Sequence, residues 1–533
     1  MGKRVFYKDD ARARLLGGAE ILYEAVKTTM GPKGQNVVIN KPYGPPTITH
    51  DGVTVARGVV IDDVDDDTLG YRIGAELIKE AAAKMDKVGD GTTTVTVLTY
   101  HILKAANRMI VAGHSPMDLR RGLETALEWT VAQLDNIAEK IDGDPLKIAY
   151  VASISAGDED LGQLIASVFS EIGKDGAVTV ETGNGLETKS STVDGYTIDT
   201  GYISPYMVTD QKKQEGVYEG VPVLLCNDKI TNVQEILPII QALADSGKKD
   251  LIIFADDFDT DVINNFVINR VRGMFNVTAI KAPGFADKKR ELLGDIAVVL
   301  GGKVIAAKEG TTLDKVDVSM LGSADRVVVA RNETTIVNGH GDQKHIAARI
   351  DELKTRVDNA STDFEKAMLS KRIAALSGKV AVIEVGGGSD TEIEEKKYRV
   401  DDAVAAVKAA MSEGIVPGGG VALFNIATAA DSNNPGFNLL LDAMEQPIHI
   451  ILENAGLPAE HLVEQIRAYT KPGYGINVTD VEPGIVDMKK AGVIDPVVVT
   501  KEAVRNAVSI AGTAMTMGAL IVDVPSSTID KSN

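Results

Sequence analysis

The sequence predicts a multidomain α/β (α+β) protein in which a mixed, β-rich segment interrupts a mostly helical one. Three observations carry this. The chain has 533 residues, enough for two to four domains. Residues 8–136, and again those from about 400 onward, space their apolar side chains at helical intervals. Residues 190–375 instead mix short Val- and Ile-rich runs with helices. A domain inserted into a helical one produces this order; three domains strung in series fit the pattern equally.

In the first zone ILYEAVKTTM, IGAELIKEAAAKM and TTTVTVLTYHILKAANRMIVAG read as helices. In the middle zone VPVLLCN, DLIIFAD, NVTAIKAP, DRVVVAR and TTIVNG read as strands, each bounded by Gly, Asp or Asn. In the last zone VDDAVAAVKAAMSEG and EAVRNAVSIAGTAMTMGALIV return to helix. Two middle-zone helices carry broad apolar arcs. In NVQEILPIIQAL the arc spans about 160°, and in DVINNFVINRVRG about 240°. A surface helix needs a narrower stripe, so each is either buried on most sides or keeps a second apolar face open for a partner.

Composition excludes several classes. The apolar share of 44% and charged share of 25% are those of a soluble globular protein. One cysteine, Cys226, rules out a disulfide framework, and the seven histidines show no metal-ligand spacing. A net charge of −20 lacks the basic footprint of a nucleic-acid binder. The start, MGKRVFYKDDARARLL, is charged throughout and reads as no secretory signal. No stretch has the apolar length of a membrane span. A cytoplasmic location is expected.

Five segments carry chemistry. GDGTTT, ending at Gly91, Thr92, Thr93 and Thr94, precedes a helix; bare backbone amides at a helix start bind anions, and the hydroxyls add donors. Asp90 sets a hard oxygen ligand beside them, of the kind Mg²⁺ takes when it bridges phosphates. A glycine turn with threonine caps and a solvated aspartate explains the hexapeptide equally well. TTMGPKGQNVVI ends a helix near Gly31-Pro32 and turns into a strand, so backbone at Thr29, Met30 and Gly31 can approach a ligand; it is not a GxxxxGK[ST] loop. Asp51 in TITHDGVTVAR, and Asp401 and Asp402 in RVDDAVAAV, stand where helices are expected to start. There an acid is either a dipole partner or an orienter of an attacking water. PGGGVAL, 417–423, is a flexible turn before a helix.

Taken together, the order and wording of these segments resemble the group I chaperonins, the GroEL type. GPKGQNVVINK, PPTITHDGVTVAR, GDGTTTVTVL, GYISPY, KAPGFADKKR, EEKKYRVDDA, EGIVPGGGVAL and GVIDP follow the family's order from about residue 3 to 525. The resemblance implies a mostly helical equatorial ATPase domain at 1–136 with 413–533. It implies a small intermediate hinge domain at 137–193 with 380–412, and an inserted α/β apical domain at 194–379. It also implies ATP, Mg²⁺ and K⁺ as cofactors. The expected partners are copies of the chain in a heptameric ring or double ring, a GroES-type lid and unfolded client proteins, with no nucleic acid and no membrane. The alternative is a ring-forming holdase or scaffold with an altered or lid-independent cycle.

By the same resemblance Asp90 holds Mg²⁺ and Gly91, Thr92, Thr93 and Thr94 cradle phosphate. Met30, Gly31, Pro32 and His50 line the nucleotide, and the Thr29 backbone holds K⁺. Asp402, supported by Asp51, activates the attacking water from a hinge segment that must close first. Gly419, Asn477, Val478, Val493 and Asp495 surround ribose and base. Tyr202, Tyr206, Met207, Leu237, Ile240, Ile263, Val267 and Ile268 face clients and lid, which selects the open-face reading of the two broad helices. Some positions depart from the family pattern. His50 replaces a lysine, Lys379 one glycine of a hinge pair, Thr200 an arginine, and Met207 an aromatic residue. Residues 58–74 hold about four extra positions, and the ending VPSSTIDKSN lacks a Gly/Met-rich tail.

Overall fold

The computed structural model of the chain describes residues 2–40, 46–62, 67–85, 88, 90–173, 176–183, 185–210, 213–284, 287–360, 362–469 and 471–524. Gly89, residues 63–66 of the segment 58–74 and the tail from 525 onward lie outside them. The chain divides into two compact units. The first comprises residues 1–174, 182–188 and 385–533, the second 175–181 and 189–384. The expected hinge segment forms no third unit. Its helices Pro145–Ala156, Glu159–Ile172 and Asp390–Glu413 pack together within the first unit, while its strand Lys189–Ile198 belongs to the second.

The first unit is a helical core. Helices Lys8–Lys27, Tyr71–Met85, Thr92–Val111, Pro116–Ile137, Pro435–Met444 and Val497–Ala514 pack against one another. Their buried faces supply Leu98, Ile102, Leu123, Leu134, Leu440, Val504 and Ala511. Glycines let the helices approach closely. A Cβ on Gly18 would lie 1.7 Å from the Tyr71 carbonyl oxygen, and one on Gly74 1.9 Å from that of Leu15. Buried Lys501 joins Asp135 and Glu413, tying three helices together. The end of the expected last helix instead forms a strand, Ala519–Asp523, antiparallel to Lys3–Tyr7. The Val/Ile run there outweighs helical spacing once an edge partner exists.

The second unit is built on one sheet that holds ten strands among the described residues. All five expected strands are in it. Pro222–Cys226, Asp250–Ala255 and Asn276–Lys281 run parallel, joined through helices Leu237–Asp245 and Thr260–Val271. Both crossovers advance in the same direction along the sheet, so their right-handedness puts both helices on one face. The first is shorter than its apolar run. Val233–Glu235 forms a separate single turn, and Pro238 occupies the first turn, where a missing N–H costs nothing.

Between helices Lys8–Lys27 and Thr92–Val111 lies a buried aromatic group. Tyr23 and Tyr100 stack with centroids 4.2 Å apart, the Tyr100 hydroxyl donates to Glu20 at 2.5 Å, and His101 Nε2 lies 3.1 Å from the Tyr23 hydroxyl. Burial, then Lys104 and other cations, lower the His101 pKa to about 4. Below its unfolded value of about 6.5 the unfolded chain therefore binds a proton that the folded chain refuses, so stability falls from pH 6.5 toward 4. His101→Gln should remove this slope. Between pH 7 and 5 the variant should lose about 1–2 kcal/mol less stability than wild type, read from urea midpoints; parallel profiles would refute the assignment.

Candidate functional site

The site is organised by the start of helix Thr92–Val111. Its N-cap, Gly91, has φ +85° and supplies no side-chain cap, so the first amides have no side-chain acceptor at that position. A Cβ there would meet Val499 at 2.7 Å and Met85 at 2.9 Å, so only glycine fits on both counts. The Asp90 carboxylate accepts from the Gly91 N–H at 2.5 Å.

Three other segments meet this start. Thr29, just past helix Lys8–Lys27, is 4% exposed; its hydroxyl donates to the Val26 carbonyl at 2.9 Å and lies 3.4 Å from that of Thr93. A Cβ on Gly34 would lie 2.5 Å from the Thr29 carbonyl oxygen and 2.8 Å from the His50 ring. One on Gly52 would lie 2.5 Å from the Thr93 hydroxyl and 3.0 Å from that of Thr92. Glycine at 34 and 52 is what lets the backbone close in. Asp51 accepts from the N–H groups of Val53 and Thr54 at 3.0 and 2.8 Å, and from the Thr54 hydroxyl at 2.6 Å. It caps the helix Gly52–Gly58.

The far wall comes from residues 415–496. Strand Ile415–Pro417 pairs with Ile494–Pro496, setting Val416 opposite Asp495. The next turn needs its glycines. A Cβ on Gly418 would lie 2.9 Å from the Asp495 carboxylate, and Gly419 and Gly420 have φ +65° and +77°. Val493 and the buried Met488 lie against Gly419. Val478 is buried behind this turn, in a cluster with Val421 and Met488. The Asn477 side chain is committed to its own turn, accepting from Thr479 and donating to Asp480. Neither therefore presents a free recognition group in this conformation.

Electrostatics mark the space between these walls. Asp90 and Asp495 both keep some accessible surface, yet burial is the main cause of their raised pKa values. The Asp495 carboxyl is pushed up to about 7 by burial and then by Asp90. Asp90 is raised by burial and Asp51, against the pull of the Gly91 N–H. Partial access with strong desolvation describes the floor of a cleft. Two such carboxylates suit a cation that would offset their charge. Among the described residues no group of three or more His, Cys, Asp or Glu forms a metal cage, so a cation there must take further oxygens from a ligand or water.

Asp402 departs from expectation in one respect. It lies mid-helix, because Asp390–Glu413 begins three turns earlier. Ser389 accepts from the Glu392 N–H, and the pairs Glu392–Lys396 and Glu395–Arg399 carry the helix through its polar half. The dipole role is thereby removed for Asp401 and Asp402. Glu395, Arg399 and Asp402 are spaced i, i+4, i+7 on one face. His50 is lowered mainly by burial, with Glu395 and Asp51 raising and Arg399 lowering it. The face that carries Asp402 thus lies within electrostatic reach of His50. The same helix packs against strand Ile494–Pro496, which carries Asp495. Glu395 and Arg399 stand inside the EEKKYRVDDA motif but have no role of their own there, and Met488 stands in no motif.

Comparison with known proteins supplies the identity. The family model for the TCP-1/cpn60 chaperonin family matches residues 22–525. The chain belongs to the TCP-1/cpn60 chaperonin family. Among solved structures, the chaperonin gp146 from bacteriophage EL 2 (Pseudomonas aeruginosa), crystallised in the presence of ATP-BeFx, superposes with a TM-score of 0.69 at 21% identity, covering 98% of this chain and 99% of that one. A second crystal form of it gives a TM-score of 0.61 over the same coverage and identity. At this identity the likeness speaks for the fold. Among the described residues no helix of this chaperonin chain is long and apolar enough to cross a membrane.

In the second unit of the chaperonin chain the expected partner-facing residues separate. Tyr206, Leu237 and Ile268 are 69%, 42% and 48% exposed, and Val271 and Met274 continue the open apolar surface past Ile268. Ile240, Ile263 and Val267 are partly buried against the core. Tyr202 and Met207 do not face outward. Both are in the core, and Met207 is fully buried, its carbonyl accepting from the Tyr218 hydroxyl at 2.8 Å. The single turn Pro205–Met207 aims Tyr206 outward and Met207 inward. The 240° arc of Thr260–Val271 thus divides into a buried side, Val262 and Phe266, and an open one.

Proposed function

We propose that this chain is the ATP-hydrolysing subunit of a cytoplasmic, ring-forming chaperonin of the group I type, which captures unfolded proteins on the second unit and spends ATP at the cleft of the first. One observation supports the reading above others: segments at 29–34, 50–54, 90–94, 418–420 and 493–495 converge on a single cleft. It is floored by an uncapped helix start and two carboxylates raised by burial.

In this reading the amides of Thr92, Thr93 and Thr94 receive phosphate oxygens, and the threonine hydroxyls follow. Asp90 is the protein's ligand to Mg²⁺, which when bound neutralises charge on the phosphates. The buried Thr29 carbonyl accepts from no donor among the described residues, which suits a K⁺ ligand. Met30, Gly31 and Pro32 border the nucleotide on that side, and Gly419, Val493 and Asp495 on the other. Asp51 holds helix Gly52–Gly58 against the threonines and adds negative charge beside the water-activating Asp402. Asp402 orients that water and takes its proton, since a carboxylate on a movable helix face meets the terminal phosphate only when the helix is seated. Rings of this chain, seven to a ring, and a GroES-type lid complete the cycle.

Asp402→Ala should leave ATP affinity within about threefold and lower single-turnover hydrolysis by a factor on the order of 10²–10⁴. Equilibrium nucleotide binding and a rapid-quench assay check both. Hydrolysis at the wild-type rate would remove Asp402 from the mechanism.

On the second unit, non-directional apolar contact captures exposed hydrophobic segments without demanding a client sequence. Leu237→Glu places a charge on an exposed position, so the fold should survive, while suppression of aggregation of a denatured client should fall several-fold. Light scattering during client dilution, beside melting temperature, is the measurement. Undiminished suppression by the folded variant would refute the assignment of this face.

A further inference from the structure

Helix Gln446–Asn454 borders the cleft on both sides, though no motif drew attention to it. At its start, the Gly420 turn is pressed so closely that a Cβ there would lie 2.8 Å from the Ile448 nitrogen. Toward its end, Ile451 sits 3.2 Å from where a Gly31 Cβ would be. Ile450 is buried with Tyr23, Val26 and Met30, whereas Ile448 and Leu452 are buried with Val421, Phe424 and Met488. One nine-residue helix is thus wedged between the two turns.

Its last residue makes a specific connection. Asn454 Nδ2 donates to the carbonyls of Lys27 and Met30, both at 2.9 Å. The neighbouring carbonyls are occupied by backbone: Thr28 accepts from the Gln35 N–H at 2.8 Å and Gly31 from that of Gly34 at 2.9 Å. Of the five successive carbonyls from Thr28 back to Lys27 and on to Gly31, only that of Thr29 accepts no bond from a described residue. A helix end leaves several carbonyls needing donors, and here all but one are met. Two acceptors on one side chain require its amide nitrogen to face them, a demand that aspartate or leucine of similar size cannot meet.

We propose that Asn454 is a positioning residue of the nucleotide turn: by occupying the Lys27 and Met30 carbonyls it fixes residues 28–31 so that the Thr29 carbonyl is the one left for a monovalent cation. This rests on the ATPase reading above. Losing the amide leaves the Met30 carbonyl without a donor among the described residues and the Lys27 carbonyl held only by the Met30 N–H at 3.1 Å, so the cation meets a turn with several competing orientations instead of one. Cation and nucleotide affinity then weaken together, while the step at Asp402 is untouched once both are bound.

The test uses the full-length chain and its Asn454→Asp and Asn454→Leu variants, with steady-state ATPase measured in KCl against NaCl at constant ionic strength. Both variants should raise the half-activating K⁺ concentration, the KM for ATP and the equilibrium dissociation constant for ATP measured in KCl about tenfold, the loss of a net hydrogen bond or two, with kcat at saturation of both within about threefold. Wild-type half-saturation values in the variants would overturn the proposal. So would a loss confined to kcat or to melting temperature, which a merely structural residue would give, or wild-type ATPase indifferent to K⁺. Absence of ATPase from the wild type itself would instead sink the parent reading.

Discussion

A helix start without a side-chain cap is the constraint around which the first unit is arranged. The opening amides of Thr92–Val111 carry the positive end of a twenty-residue helix dipole, and Gly91 offers them no acceptor. Most helices answer this with Ser, Thr, Asp or Asn at the cap, as Asp51 does a few ångströms away for Gly52–Gly58. Leaving the longer helix uncapped, with glycines at 34, 52 and 91 that let Thr29, His50, Thr93 and Val499 close in around it, suits the anion of the proposed reading. The tight approaches of Gly18 and Gly74 set the spacing of helices Lys8–Lys27 and Tyr71–Met85, the first leading into Thr29 and the second ending at Met85, which backs Gly91.

The second unit resolves the opposite problem, a surface too apolar to be left open without cause. Thr260–Val271 buries only Val262 and Phe266, although its sequence has apolar residues for a much wider core. The parallel sheet behind it is complete, with Ile252, Ile253 and Phe254 fully buried. Ile268 and Val271 are therefore surplus to packing. Large exposed apolar side chains grouped on one face mark contact surfaces in soluble proteins, and Leu237 on the neighbouring crossover extends the group.

Legibility followed the physics of each signal. Five strands of the second unit's sheet were readable because dense Val and Ile between Gly, Asp and Asn has few alternatives. The first half of Asp390–Glu413 was not, since EIEEKKYRV has no apolar stripe; the capping pair Ser389 and Glu392 was its one local sign. Within the cleft, Gly91 and Asp90 stood in a recognisable motif. Asn454 could not be found that way, because an asparagine followed by Ala-Gly at a helix end reads as an ordinary terminus. Its value lies in which carbonyls it meets, more than four hundred positions away. Tyr206 and Met207 show the limit for neighbours. A single turn reverses their directions, and no periodicity exists over three residues to foretell it.

Charge decides what can occupy the cleft. Asp51 raises the proton affinity of Asp90, and Asp90 that of Asp495, in a chain already at −20, so a bare polyphosphate would meet repulsion there. Attraction must come from the helix amides and from cations brought with the ligand, and each cation relieves a carboxylate that burial has made unfavourable. In the proposed reading the nucleotide and its metals are therefore bound as a unit, neither being well accommodated alone. His50 enters the same balance from the rim. Its proton affinity lowered by burial, it adds little positive charge to the cleft, so more of the electrostatic burden falls on the backbone dipoles and on ions. The orientation of a single carbonyl such as that of Thr29 then becomes a quantity the fold has to control.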